Sequence, residues 1–90
     1  MNTFEWDTKK QKVNIEKHGI DFVDAAKVFD DISRIETTVI HKSGGKRHIS
    51  IGMVNKITLL VVYTLTNKFI RLISAQRASK NERYYYKNQT

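Results

Sequence analysis

The chain has no cysteine, which removes disulfide scaffolds, cysteine-based zinc sites and thiol catalysis together. No apolar run approaches the roughly 18–20 residues that a membrane span needs. The start, Met1-Asn2-Thr3-Phe4-Glu5-Trp6-Asp7, lacks the basic region, apolar stretch and small-residue cleavage site of a secretory signal. A folded cytoplasmic protein without membrane contact is the expectation. The three histidines, His18, His41 and His48, are too scattered for a metal-ligand spacing, so neither a metal nor another cofactor is expected. Also missing are a Gly-rich phosphate loop, a His-Glu-x-x-His pair and a Gly-x-Ser-x-Gly elbow, and with them the chemistries they serve.

Acidic residues are scarce: nine, against sixteen lysines and arginines, a formal net charge of +7. Long-range attraction and counterion release favour an anionic partner. Nucleic acid ranks first and an acidic protein second. A membrane surface ranks third, because no amphipathic helix pairs a broad apolar face with a cationic one. Ninety residues make one small domain, 1–90, which buries only about 60–65% of the surface of its extended chain. No repeat, linker or low-complexity tract interrupts it.

What is present reads as alternating periods. Phe4-Glu5-Trp6 suggests a short strand, and Asp7 caps a helix over 8–18 that Gly19 ends. In that helix Val13 and Ile15 lie about 200° apart, whereas Asp7, Lys10, Asn14 and Lys17 share a face, so a polar stripe replaces the apolar one. Asp21 caps a second helix with Phe22, Ala25, Ala26 and Phe29 on its core side, ending at Asp30-Asp31. From Arg34 the period becomes two, with Ile35, Thr37 and Val39 alternating against Arg34, Glu36 and Thr38. The turn Ser43-Gly44-Gly45-Lys46 leads into a strand from Arg47 to Val54, and Ile57–Leu65 reads as a central strand covered on both faces. Asn67-Lys68 turns into a last strand, Phe69–Ala75, and Ser79 with Glu82 form a capping box for a terminal helix. The fold class is α+β, in the order β-α-α-β-β-β-β-α. It combines a four-stranded antiparallel meander, a short N-terminal strand, two N-terminal helices and one C-terminal helix.

The chemistry left to such a chain is that of cations. Arg71, Arg77, Lys80 and Arg83 flank the exit of the last strand and the start of the last helix, and guanidinium forks suit phosphate oxygens. Arg77 stands where helix N-terminal amides also favour anions; its bland alternative is a salt bridge to Glu82 or Asp30. Arg71 is in strand phase with Phe69 and Ile73, so its stem is expected to cover core. Arg47 opens a strand directly after the glycine turn. His18, one turn after Asn14, is placed either to exchange a proton near neutrality or to complement the helix dipole. His41 and His48 flank the turn, facing each other or solvent. Of Tyr84, Tyr85 and Tyr86, successive residues 100° apart, one or two can pack inward; an exposed one near Arg83 is a stacking surface for a base.

In order along the chain, "KHGIDF" (Lys17–Phe22), "VFDD" (Val28–Asp31) and "IRLISAQRAS" (Ile70–Ser79), with Phe4–Asp7, Lys10, Asn14, Arg47, Ile51-Gly52, Val61–Thr64, Glu82 and Arg83, resemble the BrnT ribonuclease toxins of bacterial type II toxin–antitoxin systems. The resemblance implies a RelE-like fold and a toxin that cleaves RNA and inhibits translation. It further implies neutralisation by a BrnA-type antitoxin, a homodimer within the complex, and operator DNA bound only by that complex. The family pattern often has Gly-Glu ahead of the arginine matching Arg47. Here Gly44-Gly45-Lys46-Arg47 supplies no glutamate; if that acid serves catalysis, either activity is weak or proton transfer rests elsewhere.

RNA cleaves itself when its 2′-hydroxyl attacks the neighbouring phosphate, so an enzyme need only orient the strand, stabilise charge and move protons, without a metal. The expected site has Arg77 and Arg47 converging on the scissile phosphate and His18 carrying a proton. Lys10, Lys17, Arg71, Lys80 and Arg83 contact flanking phosphates, and Tyr84 stacks a base. The competing readings are a nucleic-acid module that binds without cutting and a basic interaction protein.

Overall fold

In the computed structural model, which describes residues 3–89, each polar cap anticipated from the sequence is in place. After β1, Phe4–Glu5, the Asp7 carboxylate accepts the backbone N–H groups of Lys9 at 2.7 Å and Lys10 at 3.3 Å and opens α1, Thr8–His18. Those bonds hold the Asp7 carboxyl below its usual range. Gly19 ends α1 at φ 71°, a left-handed conformation that costs glycine little. Asp21 caps α2, Phe22–Ala25, and its carboxyl is lowered first by the Gln11 amide and then by the Val23 N–H.

From Ala26 to Asp30 the helix tightens to a 3-10 turn, a change of helix type within the expected segment that adds Val28 to the expected core face. Winding at three residues per turn brings every third residue to one side. Phe22, Ala25 and Val28 are accordingly fully buried and Phe29 nearly so, while Ala26 is only half-buried.

The strands β2, Ile35–Ile40, β3, Lys46–Val54, β4, Ile57–Leu65, and β5, Ile70–Arg77, form the antiparallel meander, followed by α3, Lys80–Lys87. Ser79 and Glu82 close the capping box. A correction concerns β1. It joins the far edge of β5 in parallel, Phe4 opposite Ile70 and Glu5 opposite Arg71, so the sheet is five-stranded and mixed, in the order β1-β5-β4-β3-β2, rather than an all-antiparallel RelE-like one. A strand of two residues carries no pattern that fixes its direction; the Ile70 N–H bonded to Thr3 O at 2.8 Å shows what the edge gains from it.

Helical residues Phe22, Ala25, Val28 and Phe29 pack on one sheet face against Val54, Leu59, Val61, Tyr63, Leu72 and Ala75. Gly52 sits under this layer, where an added Cβ would come 2.9 Å from Val28 Cγ1 and 3.2 Å from Arg34 Cβ. Helix α1 docks differently. Its Asn14, 4% exposed, donates from Nδ2 to the carbonyls of Ala75 and Ile20, each at 2.8 Å, and accepts the Ala75 N–H at 3.1 Å. One side-chain amide thereby continues the β5 edge beyond the end of β1, and this is what the polar stripe is for.

Candidate nucleic-acid interface

Because Asn14 ties α1 to β5, the neighbours of Asn14 on the helix stand over that strand. Lys9, Lys10, Val13, Lys17 and His18 line a cleft of about 330 Å³ with Ile73 and Ser74. The expected pair Lys10 and Lys17 and the expected imidazole His18 are thus brought together. At the end of β5 a second cleft, of about 320 Å³, collects Arg77, Arg83, Lys56 and Lys87. Arg77 also borders a smaller space lined by Gly19, Ile20 and Asp24, whereas Ser74 of the α1 cleft, opposite Val62 and so on the face of Ile49 and Arg47, turns to the other side of the sheet.

Arg77 makes neither of the ion pairs that would have made it structural. Glu82 is taken by the Ser79 N–H at 2.7 Å, and among the described residues the guanidinium of Arg77 has no carboxylate partner. Arg83 is partly committed, donating to the Ala78 carbonyl at 2.9 Å. Lys80 opens α3, exposed, beside it. Arg71 pairs with Glu5 at 3.4 Å, which ties β5 to β1 and leaves its side chain less than half exposed.

Arg47 and Arg77 do not converge, and the active centre expected from their meeting is corrected. Arg77 is opposite Leu59 and Leu59 opposite Gly52, so Arg77 shares the helix-covered face of the sheet. Arg47 alternates with Ser50 and Gly52 and lies on the other face. By strand spacing their Cα atoms are roughly 19 Å apart, about 17 Å along β3 and two strand widths across. Tyr84, 69% exposed, lines a groove with Ile35 and Tyr85, away from both cation clefts. Tyr86 is the tyrosine that packs inward, donating its hydroxyl to Asp31.

A family model described as "Ribonuclease toxin, BrnT, of type II toxin-antitoxin system" matches residues 6–82. The chain belongs to that family. It is also similar to the ribonuclease toxin BrnT of Brucella abortus, known from a crystal structure at 1.1 Å resolution, with a TM-score of 0.66 and 28% sequence identity over 89% of this chain and 100% of the other. No curated protein matches it in sequence. Family membership makes this a ribonuclease toxin fold, with RNA and an antitoxin as the partners that the family's description implies.

A third group of polar side chains, not foreseen from the sequence, occupies the open half of the helix-side face on β2, β3 and β4. The register sets Glu36 opposite Ser50, Thr38 opposite His48, and His48 opposite Tyr63. Glu36 Oε1 accepts from Arg34 Nε at 2.8 Å and from Ser50 Oγ at 3.5 Å, and Ser50 Oγ also lies 3.2 Å from the Tyr63 hydroxyl. His48 stacks on the Tyr63 ring at 5.4 Å, with Nδ1 3.0 Å from Thr38 Oγ1. Burial raises the Tyr63 hydroxyl above its ordinary pKa; the Ser50 bond opposes this and Glu36 adds to it. The signal was available in the hairpin: once the glycine turn fixes the pairing, Glu36, Thr38, His48 and Ser50 fall on one face. His48 meets Thr38 rather than His41, which bonds Ser43 at 3.0 Å instead.

Proposed function

We propose that this protein is a metal-independent endoribonuclease toxin that cuts cytoplasmic RNA, leaves 2′,3′-cyclic phosphate ends and so arrests translation. A BrnA-type antitoxin neutralises it by covering the cationic surface, and the complex, holding two toxin copies, is the form that meets operator DNA. The observation that carries this reading is Arg77: a guanidinium without a carboxylate partner among the described residues, in a cleft it shares with Lys56, Arg83 and Lys87, in a chain of a ribonuclease toxin family. Arg77 grips a backbone phosphate. Lys10, Lys17 and His18 hold the strand on one side, and Lys80 and Arg83 hold it on the other. Arg71, half-committed to Glu5, contributes at the rim, Arg47 meets a separate segment of RNA on the opposite face, and Tyr84 offers a ring to an unpaired base.

Purified protein incubated with RNA in EDTA should yield cyclic phosphate ends, and induced expression should arrest bacterial growth for the wild type but not for Arg77→Ala. Cleavage that fails in EDTA and returns with magnesium rejects the chemistry; equal growth of both strains rejects the role of Arg77. One observation favours a second reading, a module that binds RNA without cutting it: among the described residues neither cation cleft has a carboxylate in its lining. Salt-sensitive binding that leaves RNA intact would establish it.

A further inference from the structure

Self-cleavage of RNA needs a group that takes the 2′-hydroxyl proton and, on the far side of the phosphorus, one that gives a proton to the departing 5′-oxygen. Among the described residues the two cation clefts hold an imidazole but no carboxylate, and the Asp24 that borders Arg77 lies in a separate space. A carboxylate, Glu36, and an imidazole, His48, do share the open face of β2 and β3, with the Arg34 guanidinium on the far side of Glu36.

Resting on the ribonuclease reading above, we infer that Glu36 and His48 are the proton-transfer pair of this toxin and that Arg34 holds the phosphate between them. Glu36 and His48 are diagonal neighbours on paired strands, a relation that sets their Cα atoms about 7–8 Å apart on one face. Two side chains rising from such positions leave room for a phosphate between their tips. Each member is already held on one side and open on the other. Arg34 is fixed by Glu36 at 2.8 Å, by the carbonyls of Phe29 and Asp31, both at 3.2 Å, and by the Phe29 ring 5.5 Å away. Its second terminal nitrogen has no partner among the described residues. Among the described residues Glu36 bonds through Oε1 and His48 through Nδ1, so Oε2 and Nε2 face a substrate. The Tyr63 ring beneath His48 and the Thr38 hydroxyl beside it fix the plane of the imidazole. β2 is an edge strand of the sheet, exposed over most of its length, so a single strand of RNA reaches this face directly.

The step balances. Glu36 takes the 2′-hydroxyl proton as the 2′-oxygen forms its bond to phosphorus, and the bond from phosphorus to the 5′-oxygen breaks. The Nε2 proton of the His48 imidazolium goes to that oxygen, while Arg34 stabilises the charge on the non-bridging oxygens. Glu36 ends protonated and His48 neutral, and exchange with water resets both. Arg77 and the lysines of the clefts hold more distant phosphates.

Two measurements on the full-length protein test this. Glu36→Gln and His48→Gln should each slow cleavage of a labelled RNA in EDTA by about 10²–10⁴-fold while RNA binding and the melting temperature are retained. If the wild type cleaves and both variants keep its rate, the inference fails while the ribonuclease reading stands. Independently of turnover, titration of the wild type with uridine 3′-monophosphate, followed through the three histidine ring signals, should move the signal of His48. A response confined to His18, or none, overturns the assignment even where no cleavage is seen and the ribonuclease reading itself has failed.

Discussion

Replacing Asn14 with alanine tests whether one amide anchors α1, and with it the lysine-lined cleft. Three hydrogen bonds run through this side chain, at 2.8, 2.8 and 3.1 Å, and the residue is 4% exposed. Alanine would leave the Ala75 N–H and the carbonyls of Ala75 and Ile20 without partners in a site largely closed to water. Each such group costs about 1–3 kcal/mol. Allowing for some water entry, the sum is about 3–5 kcal/mol, a large share of the roughly 5–13 kcal/mol that a 90-residue domain possesses. Asn14→Asp should be at least as harmful. A carboxylate still accepts the Ala75 N–H, but its other oxygen faces two carbonyl oxygens where Nδ2 had donated. The assay is urea unfolding followed through Trp6, which packs on Phe22 and bonds Gln11 of the same helix, with linear extrapolation to water. A loss below about 1 kcal/mol for alanine would show that α1 is held by something other than this clamp.

Two further outcomes follow from the geometry. Tyr86 is pushed up to about 12 chiefly by its bond to Asp31. Burial alone would raise the Asp31 carboxyl, but Tyr86 and the backbone N–H groups of Met53 and Ser33 outweigh it and leave it lowered. The raised tyrosine stabilises the fold below its ordinary pKa of 10.0, and that stabilisation fades as pH climbs toward about 12. The lowered Asp31 acts at the other end: its stabilisation is present above the ordinary carboxyl range and fades as pH falls through its depressed value. Thermal melts should therefore show an alkaline decline that Tyr86→Phe flattens; an unchanged decline would break the link. For RNA binding, Arg47→Ala and Arg77→Ala should be additive to within about 0.3–0.5 kcal/mol, as expected of sites well beyond 7–10 Å apart. Anisotropy titrations showing a coupling of about 1 kcal/mol or more would place both guanidinium groups on one phosphate after all.

What the sequence disclosed, and what it concealed, divides by the range of the interaction involved. Caps and turns are local, so Asp7, Gly19, Asp21 and the Ser79–Glu82 box could be read from neighbours a few residues away, and each is where it was expected. The meander was legible for a similar reason, since period-two strands joined by short turns have few other ways to pair. The polar stripe of α1 was visible but its purpose was not, because the partner of Asn14 lies 61 residues away on a strand edge. The parallel β1 was hidden by its length, and the 3-10 turn by the similarity of α-helical and 3-10 spacing over so few residues.

The site shows the same division, with consequences for how the chemistry is distributed. The terminal arginine block was readable as a cation cluster, and most of it does gather at the end of β5. Composition could not reveal that strand alternation sends Arg47 and Arg77 to opposite faces, nor that the hairpin gathers Glu36, Ser50 and His48 on one of them. A protein this small has little buried volume in which to enclose a substrate. On the assignment proposed above, the tasks are separated over its surface instead, with exposed lysines and arginines holding the backbone of RNA. Charge and proton acceptors are fixed by cross-strand bonds where geometry must be exact to a fraction of an ångström. Long cationic side chains tolerate sequence drift in the first task, whereas the second depends on register. A one-residue slip of β2 against β3 would send Glu36 to the opposite face from His48 while leaving every cation of the two clefts in place.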